Sequence, residues 1–262
     1  MDVFRANGIA LRYQIEGPAD GPAVVFANSL GTDMRLWDQV LRLLPPGLRI
    51  LRYDKRGHGG SDCPDAPYSM GALVGDVEGI MDHVGMTDAV FIGLSIGGMI
   101  AQGLAVKRPD LIRAMVLSNT AAKIATKQIW QDRIDNIRAD GLASITDAIM
   151  ARWFSKKFLA TGDADVWRDL LLSTPAEGYI GCAHAISGTD FITPTSGLRL
   201  PTLGIAGSED GSTPPDLVRE TTDLIPGSQF HLIRGSGHLP CADNPTEYAQ
   251  VLTGFLQATG HI

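Results

Sequence analysis

Short apolar runs alternate with helical patterns through the first half of the chain, and this alternation constrains the fold more than any other feature. The runs, rich in branched apolar residues, are AVVFAN (23–28), RILRYD (49–54), AVFIGL (89–94) and AMVLSN (114–119). Helical patterns lie between them at 36–44, 70–83 and 96–107. Strands that are apolar on both faces and alternate with helices predict an α/β fold whose mostly parallel sheet is covered by helices on both faces.

The N-terminus carries a different signal. Two apolar segments, 3–6 and 9–16, flank Asn7-Gly8. An Asn-Gly pair supplies the positive φ angles of a tight turn, so the chain is predicted to open with an antiparallel hairpin.

The alternation stops after residue 119. From 120 to 191 there are only helical stretches, around Trp130, Trp153 and Trp167, and strand patterns resume with TLGIAG (202–207) and SQFHLIRG (228–235). We therefore expect a core domain formed by 1–119 and 192–262, with a helical cap inserted at 120–191. The length of 262 residues accords with one large domain plus an insertion.

Composition and charge exclude several classes of protein. With 22 Lys+Arg against 29 Asp+Glu, the net charge of -7 leaves no basic surface for nucleic acid. No apolar run approaches the ~20 residues of a membrane span, so we expect a cytoplasmic protein without a membrane partner. Cys63, Cys182 and Cys241 form no CxxC pair, which argues against a disulfide framework or a zinc site. The oligomeric state stays open.

The segment Gly93-Leu94-Ser95-Ile96-Gly97 fits the pattern G-x-S-x-G between a predicted strand and a predicted helix. A serine at such a sharp turn has a strained backbone and needs small neighbours two positions away on either side. Ser95 is therefore the candidate nucleophile. The alternative is a glycine-rich turn that only lets the helix and the strand pack closely.

A serine hydroxyl needs a base, and the base needs an acid to orient it. Asp210 follows the strand 202–207, and His238 follows the strand 228–235. The order Ser, Asp, His and the placement of all three after parallel strands predict a catalytic triad. His58 is a rival base in a glycine-rich loop, and Glu209 is a rival acid.

Acyl transfer also requires donors for the developing oxyanion. The backbone N–H groups of Ile96 and, in the turn that follows 23–28, of Leu30 are the candidates; the second turn could also be an ordinary polar turn. A phosphate loop is excluded because Met99 and Ile100 stand where Lys and Ser/Thr would be required, and HExxH is missing. We expect no metal and no organic cofactor.

Several motifs together resemble the α/β-hydrolase fold family across nearly the whole chain: NSLG (28–31), YDKRGHGGSD (53–62), GLSIGG (93–98), the late Asp210 and GSGH (235–238). The resemblance implies that fold and the triad Ser95, Asp210 and His238. The stretch 93–134, ending in KIATKQIWQDRI, is similar to the 3-oxoadipate enol-lactonases. That similarity implies a small-molecule substrate, an enol-lactone of aromatic catabolism that is opened to 3-oxoadipate.

On this hypothesis the cap must bind a carboxylate. Trp130, Ile134 and Ile137 recur at helical spacing, with Arg133 at their flank, so we expect Trp130 and Arg133 to contact the substrate. The alternative places Trp130 in the cap core and pairs Arg133 with Asp132. The carboxylate would then be held by backbone amides or by Arg152.

Other functions remain compatible with the same motifs. A carboxylesterase, an acyltransferase or a cofactor-free perhydrolase would use the same triad. A ligand sensor on the same fold would turn over slowly or only once.

Overall fold

A computed structural model describes residues 2–6 and 8–262 of the chain. Its sheet has eight strands, in the spatial order β1-β2-β4-β3-β5-β6-β7-β8. The strands are β1 Asp2–Ala6, β2 Ile9–Glu16, β3 Ala23–Ala27, β4 Arg49–Tyr53, β5 Ala89–Leu94, β6 Ile112–Ser118, β7 Thr202–Gly207 and β8 Gln229–Ile233. β1 pairs with β2, and β2 with β4, antiparallel; the other five pairings are parallel.

Twelve α-helices are found in the described part of the chain. They are α1 Asp38–Leu41, α2 Met70–His83, α3 Ile96–Lys107, α4 Lys127–Asp140, α5 Ala143–Trp153, α6 Lys156–Leu159, α7 Asp165–Ser173, α8 Ala176–Ser187, α9 Ile192–Ser196, α10 Pro215–Asp223, α11 Pro240–Asp243 and α12 Pro245–Ala258. Every residue of β5 and of β7 is buried, so both faces of the central sheet are covered, as the apolar runs predict. The predicted fold class is confirmed.

The N-terminal strands form the expected antiparallel pair, with Val3 opposite Arg12 and Arg5 opposite Ala10. Gly8 has the positive φ of +79° that the turn requires. Asn7, the other residue of the predicted turn, lies outside the described residues.

One predicted helix is shorter than expected. The pattern at 36–44 predicts a continuous helix, but the chain forms a 3-10 helix, Met34–Trp37, followed by the single turn of α1. The 3-10 helix is capped by the Asp33 carboxylate, which accepts from the Arg35 N–H at 2.9 Å. Leu43 and Leu44 then bond only three residues back, and the two prolines at 45 and 46 cannot continue a helix.

Six helices, α4 to α9, lie between β6 and β7, and in this range, which the structure describes throughout, there is no strand. We call this stretch the helical segment. It packs on loops that follow β3 and β4: a Cβ on Gly178 would lie 2.0 Å from the carbonyl oxygen of Gly57, and the Thr174 hydroxyl lies 3.5 Å from the carbonyl of Gly31. The division into a core and a cap at 120–191 stays a prediction. None of the described helices is long and apolar enough to cross a membrane.

Candidate active site

Ser95 stands at the turn between β5 and α3 with φ 58° and ψ -118°, a conformation that L-residues rarely adopt. Surrounding hydrogen bonds hold it there. Its N–H donates to the carbonyl of Ser118 at 2.9 Å, and its carbonyl accepts from the Thr120 hydroxyl at 2.6 Å. Such strain persists only where the surroundings over-determine it, as these contacts do.

Gly93 and Gly97, the two glycines of the motif, have no room for a side chain. A Cβ on Gly93 would lie 2.2 Å from the carbonyl oxygen of Gly97, and a Cβ on Gly97 would lie 2.2 Å from that of Ala27. Backbone atoms cannot move aside as a flexible side chain can. The small neighbours that the sequence predicts are therefore a consequence of how closely α3 crosses β3 and β5.

Asp210 and His238 meet beyond the ends of β7 and β8. His238 Nδ1 lies 2.9 Å from Asp210 Oδ2, and both residues are buried. Because a carboxylate only accepts, Nδ1 donates, and Nε2 is left as the acceptor. Burial would raise the pKa of Asp210, but the charge and hydrogen bond of His238, helped by Asn119, outweigh it and hold that pKa below its usual value.

Ser95 and His238 both line a cavity of about 260 Å³ beneath the helical segment. Among the described residues no hydrogen bond joins the Ser95 hydroxyl to His238. Catalytic hydrogen bonds are often long in a ligand-free site and tighten when substrate binds. The structure thus brings all three predicted triad residues to one place, with the acid–histidine contact formed.

The two predicted oxyanion donors also belong to this place. Leu30 lines the cavity with Ser95, and Ile96 begins α3 directly after the serine. Neither amide nitrogen donates a hydrogen bond to any atom in the described ranges. Two N–H groups near the candidate nucleophile, both without an acceptor among the described residues, suit a group that acquires negative charge.

Trp130 and Arg133 lie on α4 and line the same cavity. The Trp130 indole N–H donates to the carbonyl of Ile124 at 2.7 Å, which fixes the ring. The Arg133 guanidinium carbon lies 4.7 Å from the centre of the Trp130 ring, within the range of a cation–π contact. Trp130 is at once packed and exposed to the cavity, so the two alternatives stated for it are not exclusive.

Asp132 forms no ion pair with Arg133 among the described residues; its carboxylate accepts from the Gln128 amide at 2.7 Å. Arg152 lines the cavity as well, beside Tyr179. Within the part of the chain that the structure describes, neither Arg133 nor Arg152 forms an ion pair with a carboxylate. Burial raises the pKa of Tyr179, and the nearby charge of Arg133 opposes that rise.

The rival residues have other partners. His58 Nε2 accepts from the Gly31 N–H at 3.0 Å and Nδ1 lies 3.2 Å from the carbonyl of Arg56, so both ring nitrogens are engaged with backbone. Glu209 is exposed and lies 3.3 Å from the N–H of Lys156. Neither residue shares the geometry of Asp210 and His238.

Two residues that the sequence did not single out complete the acid's environment. Asn119, with a φ of 45°, donates through Nδ2 to Asp210 Oδ2 at 2.9 Å, and the Thr213 hydroxyl donates to the same oxygen at 2.8 Å. Asn119 ends the run 114–119, and a polar residue at the end of a buried strand was the available signal. Thr213 lies three residues after the acid, where a hydroxyl can turn back to it.

The carboxylate of Asp243 connects the loop that carries His238 to the helical segment. Asp243 accepts from the N–H of Gly237 at 2.7 Å and from the N–H and hydroxyl of Ser155, each at 3.0 Å. The N–H of Leu239 donates to the carbonyl of Trp153 at 3.0 Å. His238 is therefore held between two attachments to residues 153–155.

This strand order, with a strained serine and an acid–histidine pair beyond the carboxyl ends of the strands, is the arrangement expected of an α/β hydrolase. A sequence profile of the α/β hydrolase fold family matches residues 22–245, and the chain belongs to that family.

Among the relatives, the chain is 36% identical to the 3-oxoadipate enol-lactonase 2 of Acinetobacter baylyi over 81% of this chain and 80% of that protein. It is 34% identical to the 3-oxoadipate enol-lactonase 1 of the same organism, over 98% and 96%. The crystal structure of the enol-lactonase from Burkholderia xenovorans LB400 superposes with a TM-score of 0.94 at 33% identity, covering 98% of this chain and 100% of that one.

Proposed function

We propose that this hydrolase opens the ring of 3-oxoadipate enol-lactone to give 3-oxoadipate, with Ser95, Asp210 and His238 as its triad. The similarity to enol-lactonases over nearly the full chain supports the substrate. The 2.9 Å contact between His238 and Asp210 beside a strained serine supports the mechanism.

In the first step Ser95 Oγ attacks the lactone carbonyl while His238 Nε2 takes its proton. Asp210 stabilises the imidazolium that forms. The negative charge on the former carbonyl oxygen is held by the N–H groups of Leu30 and Ile96, which need not reorganise because they already lack acceptors.

Collapse of the tetrahedral intermediate breaks the ring C–O bond, and His238 returns its proton to the leaving oxygen. The resulting enol stays attached to the acyl chain and ketonises. Water, deprotonated by His238, then attacks the acyl-enzyme and releases the carboxylate product and Ser95. The net reaction is lactone plus water to the keto acid.

One observation carries the choice of a carboxylated substrate: two guanidinium groups, Arg133 and Arg152, line the cavity without a carboxylate partner among the described residues. Burying the substrate's carboxylate without a cation would be costly. We propose that Arg133 binds it, with Trp130 as the adjoining wall and residues 120–191 acting as a cap.

The test is turnover of the purified protein with the enol-lactone, a neutral lactone and p-nitrophenyl acetate. We expect the highest kcat/KM for the enol-lactone. Ser95→Ala should fold normally, yet kcat should fall by about 10⁴-fold or more, because triad members act as a unit.

The matched control is Ser196→Ala, which removes the hydroxyl of an exposed serine bonded only to the Thr193 carbonyl. It should leave kcat unchanged. Near wild-type turnover by a folded Ser95→Ala variant would remove Ser95 from the mechanism, and equal kcat/KM for the neutral and carboxylated lactones would contradict the assigned substrate.

A further inference from the structure

Lys55 is a buried cation that the mechanism above does not use. It follows β4, is 2% exposed, and its Nζ donates to the carbonyl of Ser29 at 2.6 Å and to that of Thr32 at 3.0 Å. No carboxylate of the described chain forms a salt bridge with it. Its hydrogen bonds go only to carbonyl groups, with the charges of Asp54 and Asp33 acting from further away, and a buried ammonium carries a large desolvation cost, so these contacts merit a functional explanation.

The first of those contacts determines where a candidate oxyanion donor points. The carbonyl of Ser29 and the N–H of Leu30 belong to one planar trans peptide, so they point in opposite directions. The Ser29 oxygen accepts from Lys55 and also, at 2.9 Å and 3.3 Å, from the hydroxyl and the N–H of Thr32. Three donors on the oxygen fix the plane, and the Leu30 N–H is thereby fixed on the other side.

The next peptide is held separately. The N–H of Gly31, where φ is +77°, donates to His58 Nε2 at 3.0 Å. Burial, together with the charge of Lys55, keeps the pKa of His58 well below its usual value, so the ring stays neutral and Nε2 stays an acceptor. Consecutive N–H groups are therefore directed to different partners, which leaves the Leu30 N–H free for the cavity.

We propose that Lys55 is a positioning residue of the oxyanion hole: it anchors the Ser29–Leu30 peptide through its carbonyl and so aims the Leu30 N–H at the reacting oxygen. Its positive charge on the carbonyl also polarises the peptide, which makes the N–H a stronger donor. This inference rests on the roles proposed above for Ser95 and Leu30.

The test variant is Lys55→Met, which keeps the length of the stem and removes both hydrogen bonds and the charge. Loss of one oxyanion donor costs about 10²- to 10³-fold in kcat, so misdirection of one donor should lower kcat by about 10- to 100-fold with KM nearly unchanged. The fall should be the same for the enol-lactone and for p-nitrophenyl acetate, because both develop the same oxyanion.

Binding of phenylboronic acid provides a second readout. Its adduct with Ser95 mimics the tetrahedral intermediate, so its dissociation constant should rise by a factor similar to the fall in kcat. A merely structural lysine would lower the melting temperature without this parallel change. The control is Lys107→Met, which removes an exposed lysine paired with Glu78 and should alter neither quantity.

Unchanged kcat and unchanged phenylboronic acid affinity in folded Lys55→Met would overturn the proposal. If that variant does not fold, Thr32→Val decides, because it removes a hydroxyl from the same Ser29 oxygen and leaves Lys55 in place. A kcat lowered about 3- to 10-fold with weaker boronate binding supports anchoring of this peptide, and unchanged values overturn it. Failure of the proposed triad is distinguished by the Ser95→Ala variant, which would then retain activity.

Discussion

Replacement of Asp210 by Asn exchanges one carboxylate oxygen for an NH₂ group and so tests whether Asp210 orients His238. Asp210 Oδ1 accepts from the N–H groups of Ser212 and Thr213 at 2.7 and 3.0 Å, while Oδ2 accepts from His238, Asn119 and the Thr213 hydroxyl. The amide oxygen of an asparagine must take the Oδ1 position, because two backbone N–H groups cannot turn away. Its NH₂ group then faces His238 Nδ1.

The consequence is a change of tautomer. The new NH₂ donates to Nδ1, so the ring proton moves to Nε2, where it blocks proton transfer from Ser95. We expect kcat to fall about 10⁴-fold, equivalent to about 5.4 kcal/mol of transition-state stabilisation. The Asn119 amide loses its 2.9 Å contact with Asp210 Oδ2 and keeps only the 3.4 Å contact with the Gly237 carbonyl, which should lower the free energy of unfolding by about 1 to 3 kcal/mol.

Steady-state kinetics and chemical denaturation measure the two effects, and the ¹⁵N shifts of His238 report the tautomer directly. The control is Glu209→Gln, which alters an exposed neighbour and should change kcat little. An Asp210→Asn variant that keeps more than a tenth of wild-type kcat would refute this reasoning. An inactive Glu209→Gln variant would assign the role of the acid to Glu209 instead.

Three other outcomes are expected. Arg133→Met should raise KM for the carboxylated lactone about 10- to 100-fold, as loss of a charged hydrogen bond does, and leave p-nitrophenyl acetate unaffected; equal kinetics on both substrates would exclude the role. Burial lowers the pKa of Lys55 from 10.5 to about 8, so between these pH values the unfolded chain binds more protons than the folded one. The free energy of unfolding of the wild type should therefore rise by up to about 3 kcal/mol across that window, relative to Lys55→Met, in denaturation experiments. The same pH dependence in both proteins would contradict this. Gly97→Ala should lose more than about 3 kcal/mol because its Cβ would meet the Ala27 carbonyl, whereas Gly254→Ala, exposed in α12 with nothing within 4 Å, should be neutral or slightly stabilising by thermal melts.

The sheet and its central helices could be predicted because their signals are local. The bounds of α2 and α3 agree with the predicted 70–83 and 96–107, and β5 with 89–94. The motif around Ser95 needs only chain neighbours, and Asp210 and His238 each follow a strand. Position in the sequence was therefore enough to predict that Ser95, Asp210 and His238 lie together.

Contacts that depend on strand order could not be predicted in the same way. Lys55 reaches Ser29 because β3 and β4 are neighbours in the sheet, although 26 positions separate the two residues. Asn119 reaches Asp210 across the junction of β6 and β7, 91 positions away. The amphipathic pattern of α4 identifies its buried face but not the surface beneath it, so the expectation that Arg133 faces the substrate depended on the family resemblance, and the structure places Arg133 at the cavity.

Asp243 accepts hydrogen bonds both from Gly237, next to His238, and from Ser155 in the helical segment, and this has a consequence for recombination between relatives. The proposed triad lies outside the helical segment, so one would expect an exchange of this segment to alter specificity alone. Ser155 lies inside the segment and Asp243 outside, so a chimera without a hydroxyl residue at 155 would remove one donor from Asp243, the carboxylate that holds the Gly237 N–H next to His238. Residues 153–155 of a grafted segment should therefore be matched to residues 237–243 of the recipient, because the contacts between them position the loop that carries His238.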